Sequence, residues 1–174
     1  MMLVLGLGSN LGDRRSNLTQ AVGFLEKSVF ESEVICSSVY ETKALLKEGS
    51  PKSWDINFYN MVVKGNTKLN PWKILNQIKD IEVRLGRADK EIWAPREIDI
   101  DILAFGSKVI IENNLVIPHK ELLKRKWCVI PFAEIYRKWY FPVQGSYYKK
   151  TIKELSSMLV FNNDYFSKLG KINE

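Results

Sequence analysis

The sequence predicts a single α+β domain with a ferredoxin-like βαββαβ core, to which further strands and short helices are added. The predicted elements follow the order strand, helix, strand, strand, helix, strand, and two consecutive strands between helices are typical of this core. A length of 174 residues suits one domain that buries its own core. No repeat or linker divides the chain, so residues 1–174 are assigned to one domain, with a helical extension after about residue 145.

The first strand and helix are predicted from residues 3–28. Residues 3–7 are apolar enough for a buried strand, and Gly6 and Gly8 are expected to belong to a tight turn that ends it. Asp13 or Ser16 can cap the helix that follows. The apolar residues of that helix recur with helical spacing at Leu18, Ala21, Val22 and Leu25.

Two extended runs come next, at residues 33–42 and 57–64, and both are rich in β-branched and aromatic residues. The segment 43–56 between them is charged and contains Gly49 and Pro51. It is too long for a hairpin turn, and loops of this length in compact domains are often functional lids.

The second helix is predicted to start at Asn70, as N-cap, with Pro71 in its first turn. Its apolar face is formed by Ile74, Ile78, Ile81 and Leu85, and Gly86 suits its end. Residues 98–103 then alternate isoleucine and aspartate as a strand, and a turn at residues 106–107 leads to residues 108–111. Beyond Pro118 the pattern is mixed, with a last helix over residues 150–159.

Charge and cysteine content narrow the class of protein. Twenty-six Lys and Arg residues against 20 Asp and Glu give a net charge of +6 and a pI near 9.2, which favours an anionic partner such as nucleic acid, a membrane surface or a polyphosphate. Cys36 and Cys128 are too few and too widely spaced for a disulfide scaffold or a zinc site. No apolar run reaches the roughly 18 residues of a membrane span, and no signal peptide is evident. We therefore expect a cytoplasmic protein.

Asp99 and Asp101 are the first candidates for chemistry. Residues i and i+2 of a strand point to the same face, with Cα atoms about 6.5–7 Å apart. Such a pair would suit two Mg²⁺ ions about 3.5–4 Å apart, an arrangement common in phosphoryl transfer. The alternative is an ordinary amphipathic strand with its acids in water. Arg87, Lys90 and Arg96 lie just upstream and would fit a polyphosphate, or they could simply balance nearby acids.

Other motifs are less specific. The run Gly6-Leu7-Gly8-Ser9-Asn10-Leu11-Gly12 fails the dinucleotide fingerprint, and no P-loop is present. His119 is the single histidine, so it is either a phosphate contact or a structural residue. Phe58, Trp93 and Trp127 are suited either to core packing or to stacking on a flat heterocycle.

Taken together, these stretches resemble the 6-hydroxymethyl-7,8-dihydropterin pyrophosphokinase family of folate biosynthesis, over roughly residues 3–142. The resemblance lies in the blocks Gly8-Ser9-Asn10-Leu11-Gly12-Asp13, Ser37-Ser38-Val39-Tyr40-Glu41-Thr42, Phe58-Tyr59-Asn60, Gly86-Arg87, Trp93-Ala94-Pro95-Arg96-Glu97-Ile98-Asp99-Ile100-Asp101-Ile102-Leu103, Pro118-His119, Arg125 and residues 131–134.

The resemblance implies a ferredoxin-like fold and transfer of the β,γ-diphosphate of ATP to the pterin hydroxymethyl group, with release of AMP. It implies that Asp99 and Asp101 hold two Mg²⁺ ions and that Arg87 and Arg96 are catalytic phosphate contacts. The residues it implies for ATP binding are Glu82, Trp93, Arg96, Ile102, His119 and Arg125. Those it implies for the pterin are Thr42, Leu45, Phe58, Asn60, Asp99 and Trp127.

Several positions depart from the family pattern, among them Lys79, Ile92, Asn114, Lys120 and the segment 44–46, which lacks the usual prolines. They bear on ATP affinity and loop detail more than on the reaction. Two alternatives remain: a ferredoxin-like nucleic-acid-binding module, and a divergent nucleotide-binding paralogue. If the chain is a pyrophosphokinase, we expect a monomer that needs no nucleic acid, membrane or obligate protein partner. We also expect that it is not fused to a second enzyme.

Overall fold

An antiparallel sheet organises the computed structural model, which describes residues 1–87, 93–161 and 165–172. In chain order its elements are β1 (Met2–Ser9), α1 (Arg14–Ser28), β2 (Ile35–Cys36), β3 (Val39–Thr42), β4 (Phe58–Asn66), α2 (Pro71–Arg84), β5 (Asp99–Phe105), β6 (Ile110–Glu112), β7 (Leu115–Ile117), α3 (Lys126–Ile135), α4 (Ile152–Met158) and β8 (Phe166–Gly170). Short 3₁₀ turns lie at Lys52–Trp54 and Leu122–Lys124.

The strand order confirms the predicted fold class. The main sheet has the order β5-β1-β4-β3-β8, with β2 also paired to β4. Its first four strands reproduce the order of a ferredoxin-like core, with α1 and α2 as the two crossover helices. None of the helices in the described ranges is both long and apolar enough to cross a membrane.

The two faces of the sheet differ in how they are covered. Alternate residues of β1, including Leu3 and Leu5, pack against α1 and α2 in the larger core. The opposite face packs Val4 and Val62 against Phe132 of α3 and, beyond it, α4. This second layer covers part of that face, and a cavity lies over the rest.

The predicted strand at residues 33–42 is divided into β2 and β3. Cys36 pairs with Val63 but Tyr40 pairs with Asn60, so the register shifts by one residue between them. At the shift, the Ser37 backbone N–H donates to the Val62 carbonyl, and the Ser37 hydroxyl accepts from the Val62 N–H. The side chain therefore replaces a ladder hydrogen bond, which strand propensity does not predict.

We had expected the extension after residue 145 to be helical, but it contains both a helix and a strand. Its helix, α4, begins with a capping box between Thr151 and Glu154, and the chain then returns as β8 along the edge of β3. The sequence of β8 carries a weak strand signal, because residues 166–170 do not alternate apolar and polar side chains. Likewise, β6 and β7 form a separate hairpin, of which only the first strand was expected.

Candidate active site

A cavity of about 450 Å³ opens over the second face of the sheet. Most of the predicted site residues come together in its wall: Thr42, Leu45, Phe58, Asn60, Trp93, Arg96, Asp99, Asp101, Arg125 and Trp127. They come from three strands, two loops and the start of α3. The resemblance thus selected residues that the fold gathers from positions 42 to 127.

Gly8 forms part of the cavity floor, and here the expectation of a tight turn was wrong. β1 continues to Ser9, and Gly8 pairs with both Asn60 and Asp99. A Cβ at Gly8 would lie 3.0 Å from Asn60 Oδ1 and 3.4 Å from the Phe58 ring. A glycine inside a strand often marks such a close approach, and the alternation of Gly6 and Gly8 in an apolar run was the available signal.

The acidic pair lies at the start of β5, with both carboxylates on the cavity side. Asp101 Oδ1 lies 3.8 Å from His119 Nε2, and Asp101 Oδ2 lies 3.7 Å from Arg125 Nη1. Burial raises the pKa of Asp101, and repulsion from Asp99 raises it further. The alternating strand therefore presents two carboxylates that repel each other at a cavity wall, and not two independent acids in free water.

Ile102 was assigned to the ATP site by the resemblance, but its side chain packs in the core beneath the sheet together with that of Ile100. Only 5% of Ile102 is exposed. Any contact of Ile102 with a nucleotide must therefore come from its main chain.

The two arginines predicted to be catalytic, Arg87 and Arg96, both contact the same oxygen of Asp99. Arg87 Nη1 donates to Asp99 Oδ1 at 2.7 Å, and Arg96 Nη1 lies 3.3 Å from the same atom. Arg87 also donates to Glu82, which is 1% exposed and accepts the Ile100 backbone N–H at 2.9 Å. Glu82 lies behind the cavity wall, where it holds Arg87 and the start of β5.

His119 is oriented by two backbone contacts. Its own N–H donates to the Leu103 carbonyl at 3.1 Å, and its Nδ1 accepts the Glu121 N–H at 3.2 Å. A neutral His119 therefore carries its proton on Nε2, facing Asp101. Burial lowers the pKa of His119, and the Asp101 carboxylate opposes that shift.

The other end of the cavity combines an amide with aromatic rings. Asn60 Nδ2 donates to Thr42 Oγ1 at 2.9 Å, and both residues are buried. This hydrogen bond fixes the carboxamide plane. Phe58 and Trp127 line the cavity near it, so the site offers in-plane hydrogen-bonding groups together with apolar ring faces.

Asn10 connects the segment 43–56 with the residues that precede β5. Its backbone N–H donates to the Arg96 carbonyl at 3.1 Å, its Oδ1 accepts the Arg96 N–H at 2.8 Å, and its Nδ2 donates to the Ile56 carbonyl at 3.3 Å.

Trp93 also lies in this region, and Lys47 Nζ is 5.7 Å from its ring centroid. Trp93 has φ of 85°, a strained conformation for a bulky residue. Lys90 and Ile92 fall outside the described residues.

Sequence reasoning did not select several residues of the wall. Lys43, Lys120 and Glu121 also line the cavity. Lys120 was noted only as a departure from the family pattern, and a lysine beside a predicted site residue is too common a feature to single out. Of the other departures, Lys79 pairs with Glu82 at 2.7 Å, and Asn114 is exposed in the β6–β7 turn.

Comparison with known proteins matches residues 4–137 to the family model for 7,8-dihydro-6-hydroxymethylpterin-pyrophosphokinase (HPPK). The 2-amino-4-hydroxy-6-hydroxymethyldihydropteridine pyrophosphokinase of Aquifex aeolicus is 43% identical over 150 residues, which cover 86% of this chain and 87% of that protein. The folate synthesis bifunctional protein of Chlamydia muridarum is 41% identical over 157 residues, covering 88% of this chain and 35% of that protein.

Solved structures share the fold. One Plasmodium falciparum HPPK-DHPS structure superposes with a TM-score of 0.66 at 18% identity, covering 90% of this chain and 44% of that one. The chain spans about a third of the length of the first curated relatives that it matches. The extent of the family match and the identity to the Aquifex aeolicus protein show that this chain belongs to the 7,8-dihydro-6-hydroxymethylpterin-pyrophosphokinase family.

Proposed function

We propose that this chain transfers the β,γ-diphosphate of ATP to the hydroxymethyl group of 6-hydroxymethyl-7,8-dihydropterin, releasing AMP, as a step of folate biosynthesis. The observation that carries the proposal is the division of one cavity into two ends. One end holds the acidic pair among arginines, and the other holds the Asn60 amide among aromatic rings. In a member of this family, that division suits a polyphosphate beside a flat heterocycle.

Asp99 and Asp101 fit a Mg²⁺ site. Their carboxylate oxygens are the hard donors that Mg²⁺ prefers, and repulsion between them would be relieved by a cation. Mg²⁺ is commonly bound by one or two carboxylates together with substrate phosphates and water, and this pair supplies two carboxylates. Two Mg²⁺ ions bound there would neutralise the triphosphate and favour ionisation of the attacking hydroxyl.

The arginine side chains of this chain would neutralise the rest of the charge on the phosphates. The pterin hydroxyl loses its proton to water and its oxygen bonds to the β-phosphorus. The bond from that phosphorus to the oxygen bridging the α- and β-phosphates breaks, and AMP leaves with the electron pair. Arg96 and Arg125 both line the cavity, and in this proposal they balance charge on the transferring group. Arg87, held by Glu82 and Asp99, completes this cationic end.

The pterin end selects and orients the acceptor. Asn60 can offer a donor and an acceptor in one plane to the amide-like edge of the ring. Phe58 and Trp127 offer apolar faces, with Leu45 and Thr42 beside them. The connection through Asn10 between the segment 43–56 and the residues that precede β5 would help to exclude water and limit wasteful hydrolysis of ATP.

The alternative of a nucleic-acid-binding module is not favoured by the family membership. Several relatives are named as bifunctional proteins, so the expectations of a monomer and of no protein partner stay predictions. So does the cytoplasmic location.

A nucleotide product assay tests the proposal directly. The protein is incubated with ATP, Mg²⁺ and 6-hydroxymethyl-7,8-dihydropterin, and AMP and ADP are separated and quantified. AMP that forms only when the pterin is present supports diphosphate transfer. ADP in its place would mean transfer of a single phosphoryl group, and no nucleotide product would reject the proposal.

A further inference from the structure

We propose that β8 is a positioning strand for the pterin end of the cavity, and that Phe166 is its principal positioning residue. The inference rests on the proposed function, because it takes the end lined by Thr42 and Trp127 as the pterin site. β8 lies beyond residues 4–137, the part of the chain that the family model matches. The match to the family model therefore does not include this strand.

β8 completes the edge of the sheet that carries Thr42. It pairs antiparallel with β3, with Phe166 opposite Thr42 and Lys168 opposite Tyr40. Without β8, one side of β3 would present unpaired backbone groups next to the cavity. Thr42 accepts the hydrogen bond that holds Asn60, so the position of β3 sets the orientation of that amide.

The Phe166 ring contacts elements on two sides of the cavity. It stacks on Tyr40 of β3, with ring centroids 4.8 Å apart and planes 21° from parallel. Lys126 Nζ lies 4.7 Å from the Phe166 ring centroid, and Lys126 directly precedes Trp127 at the start of α3. One side chain thus connects the strand of Thr42 with the helix turn that presents Trp127.

Polar contacts around Glu134 reinforce the same connection. Glu134, on α3, accepts from the Tyr40 hydroxyl at 3.0 Å and from the Ser38 hydroxyl at 2.9 Å. Two lysines from the C-terminal segment also reach it, with Lys171 Nζ at 3.3 Å and Lys168 Nζ at 3.7 Å from Oε1. β8 therefore joins β3 to α3 through both an aromatic and an ionic contact.

The test separates positioning from general stability. In Phe166→Ala we expect the KM for the pterin to rise about fivefold, the size that fits the loss of one aromatic pair, while kcat and the KM for ATP change less than about twofold. Phe166→Tyr keeps the ring and should restore the wild-type KM. Phe166→Leu keeps apolar volume without the planar face, and it replaces the alanine variant if that protein does not fold.

Leu169→Ala is the matched control. Leu169 lies on the same strand but packs against the core on the opposite face of the sheet. We expect it to lower the Tm and to leave the KM for the pterin unchanged. If Phe166→Ala and Phe166→Leu also lower the Tm without raising that KM, β8 has only a structural role and the inference is overturned.

Direct binding distinguishes this inference from the proposed function. Pterin affinity is measured by fluorescence titration with 6-hydroxymethylpterin for the wild-type protein and for Phe166→Ala. If the wild type makes no AMP but binds the pterin, and Phe166→Ala binds it more weakly, the proposed reaction is rejected and the positioning role stands. A wild type that binds no pterin overturns both.

Discussion

Arg87 donates a 2.7 Å hydrogen bond to Asp99 and thereby joins the end of α2 to the first residue of β5. The same guanidinium contacts the buried Glu82, which also accepts the backbone N–H of Ile100. The end of the cavity that holds the acidic pair is thus fixed from behind by a network within the protein. This network holds Asp99 close to Asp101 although their carboxylates repel each other.

Asp101→Asn should abolish turnover without destabilising the protein. Burial and Asp99 raise the pKa of Asp101, so the ionised form costs folding free energy at neutral pH. A neutral Asn removes that cost but also removes a ligand oxygen with full charge. We expect AMP formation to fall at least about 100-fold, with a Tm, measured without Mg²⁺ and ATP, equal to or above that of the wild type. Near-full activity would remove Asp101 from the metal site.

Glu82→Ala should be strongly destabilising. It would leave the Ile100 N–H without an acceptor and Arg87 with Asp99 as its remaining partner, and an unsatisfied buried donor costs about 1–3 kcal/mol. Lys79→Ala removes an exposed partner of the same carboxylate and should cost at most about 1 kcal/mol. Urea denaturation measures both. Equal effects of the two substitutions would contradict the central place given to Glu82.

Arg96→Lys should lower kcat even though the charge is kept. Arg96 holds its position by donating from Nε to the Ala94 carbonyl and from Nη1 to Asp99, and a lysine cannot make both contacts. We expect a fall of about tenfold or more in kcat. Arg84→Lys, at the exposed end of α2, is the matched control and should leave kcat unchanged.

The core elements could be predicted from the sequence because their signals are local, whereas most residues of the cavity wall were selected through the resemblance to the family. Asn70 and Pro71 mark the start of α2, and the alternation from Ile98 to Ile102 places the acids on one face. The position of Glu82 behind the wall could not be predicted, because a glutamate one turn from the end of a helix is usually solvated. β8 was missed because its pairing with β3, a strand distant in the sequence, cannot be derived from a local pattern.

Thr42→Val should weaken pterin use selectively. The substitution keeps the branched shape but removes the acceptor that orients the Asn60 amide. We expect the KM for the pterin to rise about tenfold and the KM for ATP to stay constant, consistent with the loss of a buried hydrogen bond. Thr19→Val, on the exposed face of α1, serves as the control. A rise in both KM values would point to a wider structural change.

Glu134 should make stability depend on pH on the acid side. Burial acts to raise the pKa of Glu134, but hydrogen bonds from Ser38, Tyr40 and Lys171 outweigh it, so the pKa is lowered from 4.5. The carboxylate therefore contributes stability above pH 4.5, and this contribution is lost as the pH falls through the lowered pKa. We expect Glu134→Gln to reduce the free energy of unfolding by about 1 kcal/mol at pH 7.

That difference between Glu134→Gln and the wild type should shrink as the pH falls below 4.5. Chemical denaturation of both proteins over pH 7 to 3 measures it. A difference that stays constant over this range would show that the charge of Glu134 has no part in holding α3 to β3.

β5 places its two isoleucines and its two aspartates on opposite faces of one strand. An insertion or deletion of one residue within this stretch would therefore exchange the faces on one side of the change, directing a carboxylate towards the apolar core or an isoleucine towards the cavity. A single substitution at these positions leaves this alternation in place, whereas a change of length interrupts it. Variation in chain length compatible with this site is consequently restricted to segments such as residues 43–57, which lie outside the strand.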